Sequence, residues 1–158
     1  MKNVIKLLLL SIICMATKCA DKESEDCHTS IRFSNNSEKS LYVNKDTYYL
    51  RDLDPFDIRN SSFFRPEQKN IKCCEENKDA LFSASCYEHI LDMGKVVFIF
   101  IFDAKVVENT PWEVVAKDYL VLKRYDLTLE DLQRLNWKIT YPPTEAMKDI
   151  KQWPPYSE

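Results

Sequence analysis

Glycine is almost absent: the chain of 158 residues has one, Gly94. That excludes phosphate-cradling glycine loops, because neither a P-loop nor a dinucleotide fingerprint can be written with a single glycine. It also excludes a nucleophile elbow, which needs glycine on both sides of its serine. Histidine is scarce. With His28 and His89 alone, a zinc site built mainly on imidazoles is not expected. There is no basic excess: the formal charge is −3, which offers no basic face for nucleic acid. No apolar run is long enough to cross a bilayer as a helix. What remains is 45% hydrophobic, 30% charged and 12% aromatic. That composition can bury a core, and the length suits one domain.

The N-terminus sets the expected compartment. Lys2 and Lys6 flank the start of an apolar run from Leu7 to Ala16, which has the length of a signal-peptide core. Cys14 interrupts the run behind bulky Ile13, whereas Cys19 follows it, with Ala16 three residues earlier. Cys19 is therefore the expected lipidated first residue, although Lys18 stands where a small residue is usual. A plain secretory signal fits less well, because Ala16-Thr17-Lys18 is a poor small-x-small cleavage site. On this reading residues 1–18 are a lipoprotein signal peptide, 19–27 an acidic tether and 28–158 a single globular domain. The removed segment carries Lys2, Lys6 and Lys18 but no acid, so the mature chain is more acidic than its precursor. Ala20 to Asp26 is polar and acidic and reads as solvated chain. The expected partner is a membrane, reached through an N-terminal lipid. An anchor of this kind implies an envelope membrane as the location, with its cell-surface and periplasmic faces both open.

Setting Cys14 and Cys19 aside leaves Cys27, Cys73, Cys74 and Cys86. An even number in an exported domain argues for disulfides. A bond between neighbours Cys73 and Cys74 would be strained. The expected pairings therefore tie Cys27 to one member of that pair and Cys86 to the other. Such a staple is worth on the order of 3–4 kcal/mol in the chain-entropy picture. Adjacent cysteines lack the two-residue gap of a zinc knuckle, so no metal and no cofactor are expected. A reactive-thiol reading pairs Cys86 with His89, three residues on and able to share a helix face, where the imidazole would lower the thiol pKa. A structural Cys86 is the simpler reading.

Periodicity outlines the elements. Ile31 and Phe33, then Leu41 and Val43, alternate with polar residues around Asn35-Asn36-Ser37-Glu38-Lys39, which reads as a β-hairpin. Ile71 to Cys74 reads as a strand. Cys86 to Met93 reads as a short helix with Cys86, Ile90 and Met93 inward and Gly94 ending it. Val96 to Phe102 is seven consecutive apolar residues and belongs at the centre of a sheet covered on both faces. Thr110-Pro111-Trp112-Glu113 reads as a capping box, with Trp112, Val115 and Tyr119 on the buried side of its helix. Leu120 to Tyr125 reads as a strand. Thr128 and Asp131 start a further helix with Leu129, Leu132 and Leu135 as its stripe. Trp137, Ile139 and Tyr141 read as a strand, and Thr144 to Trp153 as a last short helix with Met147 and Ile150 inward. Helices this short do not serve a parallel sheet well. The expected fold is α+β, a mostly antiparallel sheet or sandwich with three or four short helices; an immunoglobulin-like β-sandwich is the alternative.

No catalytic motif stands out. Glu75-Glu76, Asp52/Asp54/Asp57 and Glu130-Asp131 are carboxylate clusters, the chemistry that glycoside hydrolysis uses, but neighbouring loop acids are usually solvated. Asp52, Asp54 and Asp57 lack the glycine and final glutamate of a calcium loop. Lys123-Arg124 reads as a solvated strand edge. Phe63, Phe64, Tyr87, Trp153 and Tyr156 are candidates for an aromatic recognition surface, with the filling of a small core as the simpler reading for most of them. The expected function is a non-enzymatic binding or structural module at the cell envelope, with a protein or glycan partner. The alternative is a small envelope hydrolase using carboxylates or the Cys86/His89 pair.

Several segments resemble one group. Phe33-Ser34-Asn35-Asn36-Ser37, Phe98 to Ala104, Pro111-Trp112, Leu122 to Leu132, and Asn136-Trp137 through Tyr141-Pro142 together resemble small exported lipoproteins of the Bacteroidetes. The acids that follow Cys19 resemble the surface-export signal of such lipoproteins. The likeness implies compartment and lineage and carries over no catalytic residue.

Overall fold

The structure is a computed structural model; it describes residues 24, 26–49, 72–74 and 79–157, with the backbone alone for 48, 49 and 72–74. It is an α+β sandwich. The smaller sheet holds β1 (Ser30–Asn35), β4 (Asp79–Ser83) and β7 (Lys138–Tyr141) in the order β4-β1-β7. The larger holds β2 (Leu41–Tyr49), β3 (Lys72–Cys74), β5 (Lys95–Asp103), β6 (Lys123–Leu127) and β8 (Lys151–Trp153) in the order β3-β2-β5-β6-β8. Among the described residues only β1 and β7 pair in parallel; the other pairings are antiparallel. The four short helices described are α1 (Tyr87–Leu91), α2 (Ala104–Asn109), α3 (Trp112–Lys117) and α4 (Leu129–Arg134). None is long and apolar enough to cross a membrane.

Strand β5 is central, as its composition requires. Val97, Ile99 and Ile101 point into the space between the sheets, where they meet Ile31, Phe33, Leu41, Val43 and Ile139. Val96, Phe98, Phe100 and Phe102 point the other way, against Val107, Trp112, Val115 and Val121. Trp112 meets Phe102 edge-on at 5.7 Å. The period-2 alternation of a strand therefore feeds two cores, and both faces must be apolar. Leu132 is fully buried, with Leu129 and Leu135 packed beside it. Thr128 and Asp131 close the expected capping box.

Other expectations are corrected. β1 and β2 do not form a hairpin; they lie in different sheets. Ile31 and Phe33 face the same core as Leu41 and Val43, so the intervening turn arches across the sandwich. Alternating strands look the same in a hairpin and in an arch, and burial against a shared core decides for the arch. Thr110 does not cap α3: it is the extended residue ending α2, and Pro111 takes the cap position with no side-chain hydrogen bond. Met93 is 54% exposed, and Leu91 takes the inward position at the end of α1. Thr144 to Trp153 is a single 3₁₀ turn, Glu145–Met147, followed by strand β8. Pairing with the edge of β6 outweighs helix formation there, while Met147 and Ile150 stay inward. Lys123 and Arg124 are buried rather than solvated. Lys123 Nζ donates to the carbonyl of Pro154, beyond β8.

Candidate functional site

The site begins where the N-terminal segment joins the domain. Ser24 and Cys27 close a small turn through paired backbone hydrogen bonds of 3.1 and 3.2 Å. The next residues dock on the chain around α1: Tyr87 N–H donates to the His28 carbonyl, and Ala84 N–H to that of Thr29, each at 2.9 Å. This docking brings His28 to Glu88 across 60 positions of sequence. The His28 backbone N–H donates to Glu88 Oε2 at 2.7 Å, and His28 Nδ1 lies 2.5 Å from Oε1. Cys86 Sγ donates to the same carboxylate at 3.4 Å. Burial pushes the Glu88 carboxyl up, but these hydrogen bonds outweigh burial and hold it below its ordinary range. The carboxylate is therefore ionised, although Glu88 is 8% exposed.

The opposite wall comes from the end of α4. Asn136 and Trp137 take left-handed backbone angles, φ 49° and 58°. Asparagine tolerates this region; a bulky tryptophan does so only when its surroundings hold it there. Trp137 N–H donates to the Leu132 carbonyl at 2.8 Å, and its own carbonyl accepts from Arg32 N–H at 2.9 Å. Its indole stacks on the His28 imidazole with centroids 4.2 Å apart and planes 15° apart. The Tyr87 ring also lies near the indole, with centroids 5.8 Å apart and planes tilted by 39°.

Beside this stack lies an open groove of about 340 Å³, lined by His28, Ser30, Arg32, Leu81, Asn136, Trp137 and Lys138. The strand register builds its floor: Arg32 sits opposite Leu81 on β4 and Lys138 on β7. Three neighbouring strands thus present a row of two cations and one apolar side chain on the outer face of the smaller sheet. Leu81 is 52% exposed. The Arg32 Nε lies 4.0 Å from Asp79, a loose surface pair.

The structure sorts the residues singled out by sequence. Cys27 and Cys86 come together at this site, their sulfurs within 4.8 Å with no disulfide joining them. Among the described residues no disulfide is present. The expected pairings through Cys73 and Cys74 involve side chains outside the described residues, as do lipidation at Cys19 and the aromatic pair Phe63 and Phe64. Glu75, Glu76, Asp52, Asp54 and Asp57 also lie outside them. His89 is exposed while Cys86 is buried, and the side chain that Cys86 meets is Glu88, which in turn holds His28. Tyr87 is fully buried and leaves the recognition surface. Trp153 is half-buried and meets Tyr119 edge-on at 4.8 Å. Tyr156 is half-buried. Asp131 serves the α4 cap and pairs with Arg134 at 3.1 Å. Sequence reasoning missed His28 and Glu88. The signals were there: Cys27 and His28 are adjacent, and Cys86 and Glu88 lie two apart. No protein-family model, curated protein or solved structure matches the chain.

Proposed function

We propose that the protein is a lipid-anchored module of the bacterial outer membrane, of the Bacteroidetes lipoprotein kind, that binds an anionic ligand in the His28–Trp137 groove. The observation that carries this reading is the place of the groove on the chain. His28, one of its walls, directly follows the tether that begins at Cys19. Even fully extended, the five residues Cys19 to Glu23 that precede the Ser24–Cys27 turn reach only ~17 Å, so the groove would stay close to the surface to which the lipid holds it. Arg32, Lys138 and His28 supply positive or hydrogen-donating groups in a domain of otherwise acidic balance. Asn136 and Ser30 add polar contacts, and Leu81 adds an apolar one. A half-open, polar groove on rigid strands suits recognition of a charged glycan or similar acid-bearing envelope component.

Two measurements test the reading. Mass spectrometry of the mature N-terminus, from the native membrane fraction, should return an acylated peptide beginning at Cys19; a free amine beginning after Cys19 would remove the anchor. Acidic oligosaccharides should change the tryptophan fluorescence, because Trp137 lines the groove, and neutral ones should not. Arg32→Ala with Lys138→Ala should weaken that response at least ~10-fold, as the loss of two charged hydrogen bonds predicts. A response unchanged by this double substitution would place the ligand elsewhere.

A further inference from the structure

We propose that Cys27, Cys86 and Glu88 form a binding site for a zinc-class divalent ion, with His28 as the residue that orients the Glu88 carboxylate. This goes beyond the anionic-ligand groove and does not depend on it.

The two sulfurs and a carboxylate oxygen of Glu88 all lie within 4.8 Å of one another. A tetrahedral zinc centre with sulfur at ~2.3 Å and oxygen at ~2.0 Å has a sulfur–oxygen edge of about 3.5 Å. Cys86 Sγ and Glu88 Oε2 are already 3.4 Å apart. Only Cys27, which is half-exposed, has to close on the ion, and its exposure gives solvent and metal a way in. Cys86 and Glu88 are 5% and 8% exposed, so the other two ligands sit on a built and largely dry wall.

The donor set selects the ion. Two thiolates and one carboxylate suit zinc and its borderline-soft neighbours; calcium and magnesium require oxygen shells. The thiol protons leave to solvent as the dication binds, so the two thiolates match its charge and the carboxylate leaves the centre one negative charge in excess, which the His28 groups on that carboxylate face. Water fills the fourth position. His28 then plays the part that outer-shell groups play at metal centres: its backbone N–H and its ring hold both oxygens of the ligating carboxylate. Trp137 fixes the imidazole plane from the other side. The ion would pin the segment that leads in from the N-terminus onto α1, across a sequence gap that backbone hydrogen bonds already bridge.

The test is titration of the full-length chain in detergent, reduced and stripped with chelator, with cobalt(II) and then zinc(II). One equivalent of cobalt should give a thiolate-to-metal charge-transfer band and the intense visible absorption of a tetrahedral centre, and zinc should bleach both. Cys86→Ser and Cys27→Ser should each abolish the charge-transfer band at one equivalent or weaken it sharply. Cys27→Ser, at the half-exposed position, keeps the test decisive if Cys86→Ser fails to fold. His28→Ala should leave the stoichiometry at one and weaken affinity ~10–100-fold. His89→Ala and the double change Cys73→Ser with Cys74→Ser should leave the band in place. The proposal is overturned by absence of the band, by its survival at undiminished intensity in Cys27→Ser, or by its loss in the Cys73/Cys74 double variant. It is also overturned if protein purified without reductant carries a complete Cys27–Cys86 disulfide, because that bond consumes both sulfur ligands.

Discussion

Arg124 and Asp126 stand two apart on β6, so both side chains leave the same face of the strand. Arg124 Nε and Nη2 donate to the two oxygens of Asp126 at 2.7 and 3.1 Å, and both side chains are at most 5% exposed. Tyr119 OH accepts from Nη1 at 3.0 Å, and Lys151 Nζ lies 3.3 Å from the same carboxylate across the β6–β8 pairing. The sequence presents this stretch as Lys-Arg-Tyr-Asp, which reads as surface. Charged residue types gave no sign that the face is covered, because Tyr119, which accepts from Arg124, and Trp153, opposite Arg124 on β8, come from elsewhere in the chain. A buried ion pair is costly to break, since removing one partner strands the other charge. Asp126→Ala should therefore destabilise the domain by ~3–5 kcal/mol. The double change Arg124→Met with Asp126→Leu should cost much less. Urea denaturation midpoints check both; equal losses in the single and double variants would mean that packing, not the stranded guanidinium, sets the cost.

At the scale of elements, legibility followed the strength of the local signal. Seven apolar residues fixed the place of β5, because a strand buried on both faces cannot sit at an edge. Thr128 and Asp131 announced α4 because a capping box acts within four residues. The segment from Thr144 to Trp153 misled, because its apolar spacing suits a helix equally well, and only the free edge of β6 decides. The junction of β5 and α2 shows how two elements share one side chain. Asp103 ends the strand, and its Oδ1 accepts from Lys105 N–H at 3.0 Å to cap the helix. Its Oδ2 accepts from Lys39 Nζ, also at 3.0 Å. The Lys39 ammonium, foremost, holds the Asp103 carboxyl below its usual range, and Lys39 is raised in turn. A carboxylate lowered on folding stabilises above its unfolded value of about 3.9, and that contribution is lost as pH falls through the lower folded value. Lys39 is 53% exposed, so solvent screening keeps the pair's worth below ~1 kcal/mol. Asp103→Asn keeps a good cap and removes the charge. Its stability should therefore fall less than wild type between neutral and acid pH. Identical acid profiles would show that Lys39 contributes nothing to the junction.

For the whole molecule, the decisive feature is the arch between β1 and β2, and with it the site. The sandwich class was legible from strand patterning and short helices. The partition into two sheets was not, because pairing depends on contacts between β1 and the distant strands β4 and β7. The groove and the thiol cluster were hidden for the same reason: they join residues 27–32, 81–88 and 136–138, which meet only once that partition is made. Asn35 holds the arch from inside. It is 1% exposed. Its Nδ2 donates to the Lys39 carbonyl at 2.7 Å, and its Oδ1 accepts from the Ser37 N–H and hydroxyl at 3.0 and 2.7 Å. Substituting alanine removes these bonds together and leaves the Lys39 carbonyl and Ser37 amide to find water. Asn35→Ala should cost ~2–3 kcal/mol, and Ser37→Ala, which removes only the hydroxyl, ~1 kcal/mol or less. Denaturation midpoints give the two values, and hydrogen exchange at the Ser37 amide gives a local readout. If Asn35→Ala costs no more than Ser37→Ala and leaves that amide protected, the core residues of β1 and β2 alone hold the sheets in place, and the arch is a consequence of the sandwich rather than one of its causes.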